Sequence, residues 1–342
     1  MRSAADLLQH WELAGALHES PDAGLINGTW LVGEPPSAVL QWVNPIFASQ
    51  VQLDIDLFCR RLESSGMVTP RLIPTRRGEL WVEDPEGGCW RAMSFIPGST
   101  YHRLRDPGMA HEAGRLVGQM HAAVDGWEPR RYAPVRNIHD TPSRIAELQS
   151  ALSQHPAHPL RASVEPVALG ILEDWFSWEG SLEQPLRHCH GDLKISNLRF
   201  DKRGEKAVAL IDLDTVGPMT LDAELGDAWR SWCNPSGEDQ PDTARFDLEL
   251  FEASAQGFAS TAPALLPEEW SSLVPGIERI CLELASRFCA DALNNSYFKE
   301  DRISFPTPGT HNLHKAMCQL ALARSVRRHR TASERILAAA RP

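Results

Sequence analysis

Basic charge is in short supply in this sequence: 34 lysines and arginines stand against 45 aspartates and glutamates, a formal balance of −11. That argues against a nucleic-acid partner held through a broad basic surface, and it suits a neutral or cationic small molecule. Long apolar runs are also missing. No stretch approaches the roughly 20 apolar residues that span a bilayer. Residues 1–20 carry charges throughout, with no apolar segment of signal-peptide type. A cytoplasmic protein without a membrane partner is the expectation. The seven cysteines are scattered and show no Cys-x-x-Cys spacing, so neither a zinc knuckle nor a disulfide framework is indicated. They are expected to be buried thiols in a reducing compartment. No internal repeat or low-complexity tract is present. The main basic patch is Arg324, Arg327, Arg328 and Arg330, expected as the solvated face of a final helix, with an anion contact as the alternative.

With 342 residues and 42% hydrophobic content, the chain is long enough for two sizeable cores. Its first part reads as strands with one helix. Residues 25–32 are apolar around an Asn27-Gly28 turn signal, and residues 39–43 form a strand. Val51, Ile55, Phe58 and Leu62 share one face of a helix over 50–65. Residues 80–82 and 89–93 flank Pro85-Glu86-Gly87-Gly88 as a hairpin. Phe95-Ile96-Pro97-Gly98 breaks this pattern and serves as a hinge. Helices are expected beyond it around 113–120, 169–176, 221–233, 247–260, 277–292 and 313–328, with a Pro- and Arg-rich loop over 128–137.

The chemistry-bearing stretch is His190-Gly191-Asp192-Leu193-Lys194-Ile195-Ser196-Asn197, followed by Ile211-Asp212-Leu213-Asp214. Residues 198–200 read as a short strand, 201–204 as a turn and 207–211 as a buried strand. In an antiparallel hairpin the start of one strand lies beside the end of the other. Asn197 is therefore expected next to Asp212, with Asp192 one loop away. An amide oxygen beside a carboxylate is a hard-oxygen site suited to Mg²⁺. Asp214 stands open between a further metal contact and a turn residue.

These residues resemble the catalytic loop and metal-binding aspartate of the protein-kinase-like phosphotransferases. The His-Gly-Asp form is similar to the aminoglycoside and choline kinase branch. Residues 39–44, 211–216 and Gly226-Asp227-Ala228-Trp229-Arg230, together with Tyr297-Phe298-Lys299 and His311-Asn312-Leu313, look most like the N-acetylhexosamine 1-kinases. The resemblance runs thinly over 24–328. It implies an α+β, protein-kinase-like two-lobe fold. A small antiparallel-sheet N-lobe with one helix (1–94), a hinge (95–98) and a larger, mainly helical C-lobe (99–342) would make it up.

The resemblance also implies an ATP- and Mg²⁺-dependent small-molecule kinase whose acceptor is a sugar. Asp192 would be the catalytic base and Lys194 a cation for the transferring phosphoryl group. Asn197, Asp212 and Asp214 would be the metal residues. Nucleotide contacts would come from Asn27 and Gly28, from Gln41, and from backbone around Ser94, Phe95 and Ile96. Asp227 and Arg230 are the substrate candidates, with His139, Asp140, Arg287 and Asn312 behind them. Gln41 departs from the family pattern, which has a lysine there, and leaves Asp54, Asp56 and Glu63 on the following helix without an assigned partner. Other acceptors, such as an amino alcohol, a homoserine-like metabolite or an aminoglycoside, stay open, as does a nucleotide-binding pseudokinase.

Overall fold

The computed structural model describes residues 4–20, 26–135, 137–237, 240–295 and 305–341. Gly24, where the resemblance begins, Leu25 of the 25–32 segment, and the Tyr297-Phe298-Lys299 motif lie outside the described residues. The chain forms two compact units. The first comprises 1–100, 123–136 and 197–216, the second 101–122, 137–196 and 217–342. A single cut at the 95–98 hinge does not describe this division, because the segment 197–216 returns to the first unit by strand pairing.

In the first unit, α1 (Ala4–Leu8) precedes β1 (Leu17–Glu19), β2 (Gly28–Val32) and β3 (Ala38–Val43). Helix α2 (Val51–Ser64) follows, then β4 (Leu72–Ile73), β5 (Val82–Glu83) and β6 (Cys89–Ser94). The sheet order is β1-β2-β3-β6-β4, with β5 also on β6, and every pairing is antiparallel. Gly28 is already paired with Trp42 in the β2–β3 ladder. Asn27-Gly28 therefore leads into β2, and the β2–β3 connection is made by residues 33–37. Alternation gives the central strands two different faces. Leu40, Trp90 and Ala92 join Leu7 and Trp11 in an apolar core, where Trp30 stacks on Trp90 at 5.2 Å. The opposite face carries Gln41 and Arg91, and α2 lies on that side. The apolar spacing that predicts α2 is what buries Val51, Ile55, Phe58 and Leu62. A second small sheet in this unit has the order β10-β9-β7, from β7 (Ser99–Thr100), β9 (Leu198–Phe200) and β10 (Ala207–Leu210).

The second unit is mainly helical. Its helices are α3 (Pro107–Val124), α4 (Thr141–Gln154), α5 (Arg161–Phe176), α6 (Leu221–Trp232), α7 (Leu248–Ala259), α8 (Pro267–Asn294) and α9 (Pro308–Ala340). The last two residues of α3 fall in the first unit. Strand β8 (Leu186–Cys189) pairs with β11 (Gly217–Thr220). The long α8 packs against α9, α6, α4 and α5. Where α6 crosses α8 the backbones nearly touch: a Cβ on Gly276 would stand 2.3 Å from the Asp222 carbonyl oxygen. Trp229, Phe251 and Phe258 pack edge to face beside this crossing. The C-terminal arginines form ion pairs: Arg324 and Arg327 with Asp174, Arg327 also with Glu278, and Arg330 with Glu179 and Glu334. All seven cysteines are free and buried.

Candidate active site

The first unit carries the expected hairpin between residues 198 and 210. Strands β9 and β10 pair antiparallel across the turn over 201–204, whose Gly204 N–H donates to the Asp201 carbonyl at 3.0 Å. The Ile211 N–H donates to the Asn197 carbonyl at 2.9 Å, which brings Asn197 beside the residue that precedes Asp212. Asp212 has φ 64° and ψ 60°. This left-handed conformation costs a residue with a Cβ roughly 1 kcal/mol, least for Asn and Asp. It starts a single 3-10 turn over Leu213–Thr215. The donor set at the strand ends, an amide oxygen and a carboxylate, fits a hard divalent cation.

Asp214, two residues on in the same turn, is held by other side chains. Its Oδ1 accepts from Arg91 Nη1 at 2.5 Å, and its Oδ2 accepts from Arg91 Nη2 at 3.0 Å and from Asn27 Nδ2 at 2.7 Å. Arg91 Nε donates to Gln41 Oε1, and Nη1 also donates to Gln52 Oε1, both at 3.0 Å. Gln41 Nε2 donates in turn to Thr29 Oγ1 at 3.1 Å. Burial alone would loosen the hold of the guanidinium on its proton. The Asp214 and Asp212 carboxylates reverse this and push its pKa above the ordinary arginine value. The three acids of α2 are placed differently. Asp54 accepts the Tyr132 and Ala133 N–H groups, Asp56 pairs with Arg60, and Glu63 pairs with Arg71. It is Gln52 that reaches the buried cation.

In the segment after β6, the Phe95 N–H donates to the Ser37 carbonyl at 3.2 Å. The Ser94 Oγ accepts the Arg71 N–H at 2.9 Å. The Ile96 carbonyl accepts from Arg199 Nη2 at 3.0 Å.

The second unit carries the loop of Asp192. Strand β8 ends at Cys189, and Gly191 turns the chain with φ 86°, a conformation open to glycine and strained for a residue with a Cβ. Helix α6 fastens the loop at four points. Glu224 accepts the His190 N–H at 2.7 Å and the Gly191 N–H at 2.8 Å. Trp232 Nε1 donates to the Leu193 carbonyl at 2.8 Å, and the Ile195 N–H donates to Ser231 Oγ at 3.1 Å. Lys194 Nζ lies 2.5 Å from Asp192 Oδ2. Burial would raise the Asp192 carboxyl, but the Lys194 ammonium outweighs it, with His190 and Arg230 contributing, and holds the group below the usual carboxylate range. Asp192 is therefore ionised at neutral pH.

Helix α6 begins at Leu221, as expected, so Gly226-Asp227-Ala228 sits in its second turn. Asp227 and Arg230 form a buried pair through Asp227 Oδ1, at 3.0 Å to Nε and 2.7 Å to Nη2. The buried Asp227 Oδ2 has no hydrogen-bond partner among the described residues. Of the weaker candidates, His139 Nδ1 is 2.9 Å from Glu283 and Asp140 caps α4 through the Ser143 N–H. Asn312 donates to Asp291 at 3.0 Å, and Arg287 lies half-buried on α8. His121, Cys189 and Glu224 offer ligand atoms within 4.8 Å of one another. Both Glu224 oxygens are already taken by backbone N–H groups, and burial holds the Cys189 thiol well above its ordinary pKa, so this cluster is structural. Burial also pushes Glu224 up to about 7 against those two N–H bonds. It pulls His121 down to about 3, helped by Arg187, His188 and His190.

Sequence reasoning missed Arg91, Gln52 and Glu224. A lone arginine inside the apolar strand 89–93 was the available signal, since a buried guanidinium needs a partner.

A model of the phosphotransferase enzyme family matches residues 19–264. Among solved structures the chain is similar to a microcompartment-associated aminopropanol kinase, at 16% identity over 97% of this chain and 98% of that one, with a TM-score of 0.63. It is also similar to an amicoumacin kinase solved with AMP-PNP, Ca²⁺ and Ami, at 13% identity over 93% and 91%, TM-score 0.62. A choline/ethanolamine kinase family protein from Mesorhizobium loti matches at 15% identity over 99% of both chains, TM-score 0.56. At these identities the likeness is one of fold: kinase-like, with an antiparallel N-terminal sheet and a helical C-terminal part.

Proposed function

Since this chain belongs to the phosphotransferase enzyme family, we propose that it is an ATP- and Mg²⁺-dependent kinase of a small molecule, with a sugar hydroxyl of N-acetylhexosamine type as acceptor. The observation that carries this reading is the Asp192 loop, an ionised carboxylate on a backbone fastened to α6 at four points. Asp192 accepts the hydrogen bond of the acceptor hydroxyl, aims its oxygen at the γ-phosphorus, and takes the proton as the new O–P bond forms and the bond to ADP breaks. A carboxylate of low pKa is a weak base. Phosphoryl transfer depends on positioning and charge more than on basicity, so orientation is the larger part of its work. Lys194, 2.5 Å from that carboxylate, keeps it ionised and supplies positive charge for the transferring group. Asn197 and Asp212 would hold Mg²⁺, which when bound neutralises phosphate charge. Adenine would be read by backbone groups of Ser94, Phe95 and Ile96, and phosphate by backbone at Asn27 and Gly28.

The Asp227–Arg230 pair supports a neutral polyol. Its charges cancel, and the buried Asp227 Oδ2 lacks a donor among the described residues, a vacancy suited to a hydroxyl. A second reading, an amino-alcohol acceptor, draws on the aminopropanol and choline/ethanolamine kinases among the similar structures. A coupled ADP-release assay with Mg-ATP against sugars, N-acetylhexosamines, amino alcohols and aminoglycosides separates the two. The expected result is release dependent on an N-acetylhexosamine, lost by a factor of about 10²–10⁴ in Asp192→Asn with nucleotide binding retained. Release with amino alcohols alone would replace the sugar reading. Unchanged turnover in the variant would remove Asp192 from its role.

A further inference from the structure

The family pattern sets a lysine at position 41, and this chain has a neutral amide there. A cation is nonetheless present on the same face of the sheet. Gln41 and Arg91 are register partners in the antiparallel β3–β6 pair, so their side chains stand beside each other. Arg91 is 1% exposed. Its fork meets Asp214 through two parallel contacts, and the remaining bonds to Gln41 and Gln52 leave the guanidinium one orientation. Asn27 closes the other side of Asp214 and also accepts the Asn44 N–H at 3.0 Å. Asp214 is thus held by Arg91 of β6 and by Asn27 just before β2, with Gln41 of β3 and Gln52 of α2 bracing Arg91, in the very turn that Asp212 opens. A left-handed backbone at a residue with a Cβ persists only when its surroundings determine it, and two residues after Asp212 the turn is pinned by the Asp214 side chain.

We infer that Arg91 is the positioning residue of the metal hairpin: through its ion pair with Asp214 it fixes the turn that orients Asp212, and so sets the divalent-ion affinity of the nucleotide complex. The cation that the family pattern carries on β3 has moved to the adjacent strand and acts on the metal ligand through a carboxylate. This role demands the planar fork. A lysine ammonium is a point charge and cannot make two parallel bonds to one carboxylate. The inference rests on the reading of Asn197 and Asp212 as the metal residues.

The test measures Mn²⁺ binding by electron paramagnetic resonance, with AMP-PNP and no acceptor, alongside urea unfolding of each variant. Asp212→Ala is the control for the metal reading and should abolish the bound signal. Arg91→Lys and Asp214→Asn should each weaken Mn²⁺ binding about tenfold or more, as loss of a supporting partner typically does. The double variant should lose no more than either alone. Arg91→Met extends the series if it folds; Arg91→Lys and Asp214→Asn decide if it does not. Both variants binding Mn²⁺ within about twofold of wild type, while Asp212→Ala does not bind, would overturn the inference and leave the metal reading standing. An unchanged signal in Asp212→Ala would remove the metal reading and the inference with it.

Discussion

A lysine at position 41 would place a second cation directly opposite Arg91 across the β3–β6 pair. Arg91 already uses both oxygens of Asp214, and its pKa reflects the fields of Asp214 and Asp212 together. Restoring the lysine of the family pattern should therefore harm this protein. Gln41→Lys is expected to lower stability by roughly 1 kcal/mol, the scale for like charges directly opposite in an antiparallel pair, and to leave kcat no higher than in wild type. Urea unfolding and ADP release on the same preparation check this. A variant both stable and faster would mean that the network around Arg91 tolerates a second charge, contrary to its geometry. The side chains here are defined jointly: Gln41 can be neutral because the residue beside it is not.

Helix α6 links packing to chemistry in the second unit. One face meets α8 at the Gly226 and Gly276 crossing, and Glu224, Ser231 and Trp232 hold the Asp192 loop. Gly276→Ala forces the two helices apart, since its Cβ would meet the Asp222 carbonyl at 2.3 Å. The expected cost is about 1–3 kcal/mol. Turnover should fall with it while nucleotide KM holds, because α6 carries the loop and not the residues proposed to hold nucleotide; unfolding midpoints and steady-state kinetics read the two effects. The same helix shows what could be read from sequence. Its apolar residues announced it, as those at 51, 55, 58 and 62 announced α2. Helix α4 was not foreseen, because its buried face is Thr141, Ile145, Leu148 and Ala151, with only two strongly apolar residues. Helix α8 begins at Pro267, well before the predicted 277, and α9 runs on past 328 to Ala340 through polar sequence. The β9–β10 hairpin was legible because its turn and strands are contiguous. The Arg91–Asp214 pair was not, since its partners lie 123 residues apart. Glu224 stands 34 residues from the amide it receives, and no local pattern specifies either contact.

For the molecule as a whole, two buried groups under the Asp192 loop set opposing dependences on pH. His121 falls to about 3 in the folded state, so between about 6.5 and 3 the unfolded chain binds a proton that the folded chain does not. Stability drops as pH falls through that window. Glu224 rises to about 7, so the folded chain holds the extra proton between about 7 and 4.5, and stability grows as pH falls through it. The two effects offset each other from about 6.5 to 4.5; below that His121 is joined by Asp192, whose lowered carboxyl also loses stability as it takes up its proton. His121→Phe should therefore gain stability relative to wild type as pH is lowered from 7 to 4, and Glu224→Gln should lose it; urea midpoints at pH 7.5, 6 and 4.5 check both. A difference independent of pH would remove these groups from the balance. The seven buried thiols offer a clock for the same transition. An impermeable thiol reagent should find none of them in the native protein and seven in urea. Its rate of colour development under native conditions would then count excursions of the interior into solvent, cysteine by cysteine. Cys59 and Cys89 report on the first unit, and Cys189, Cys233, Cys281, Cys289 and Cys318 on the second. Two separate rates would show that each unit opens on its own schedule.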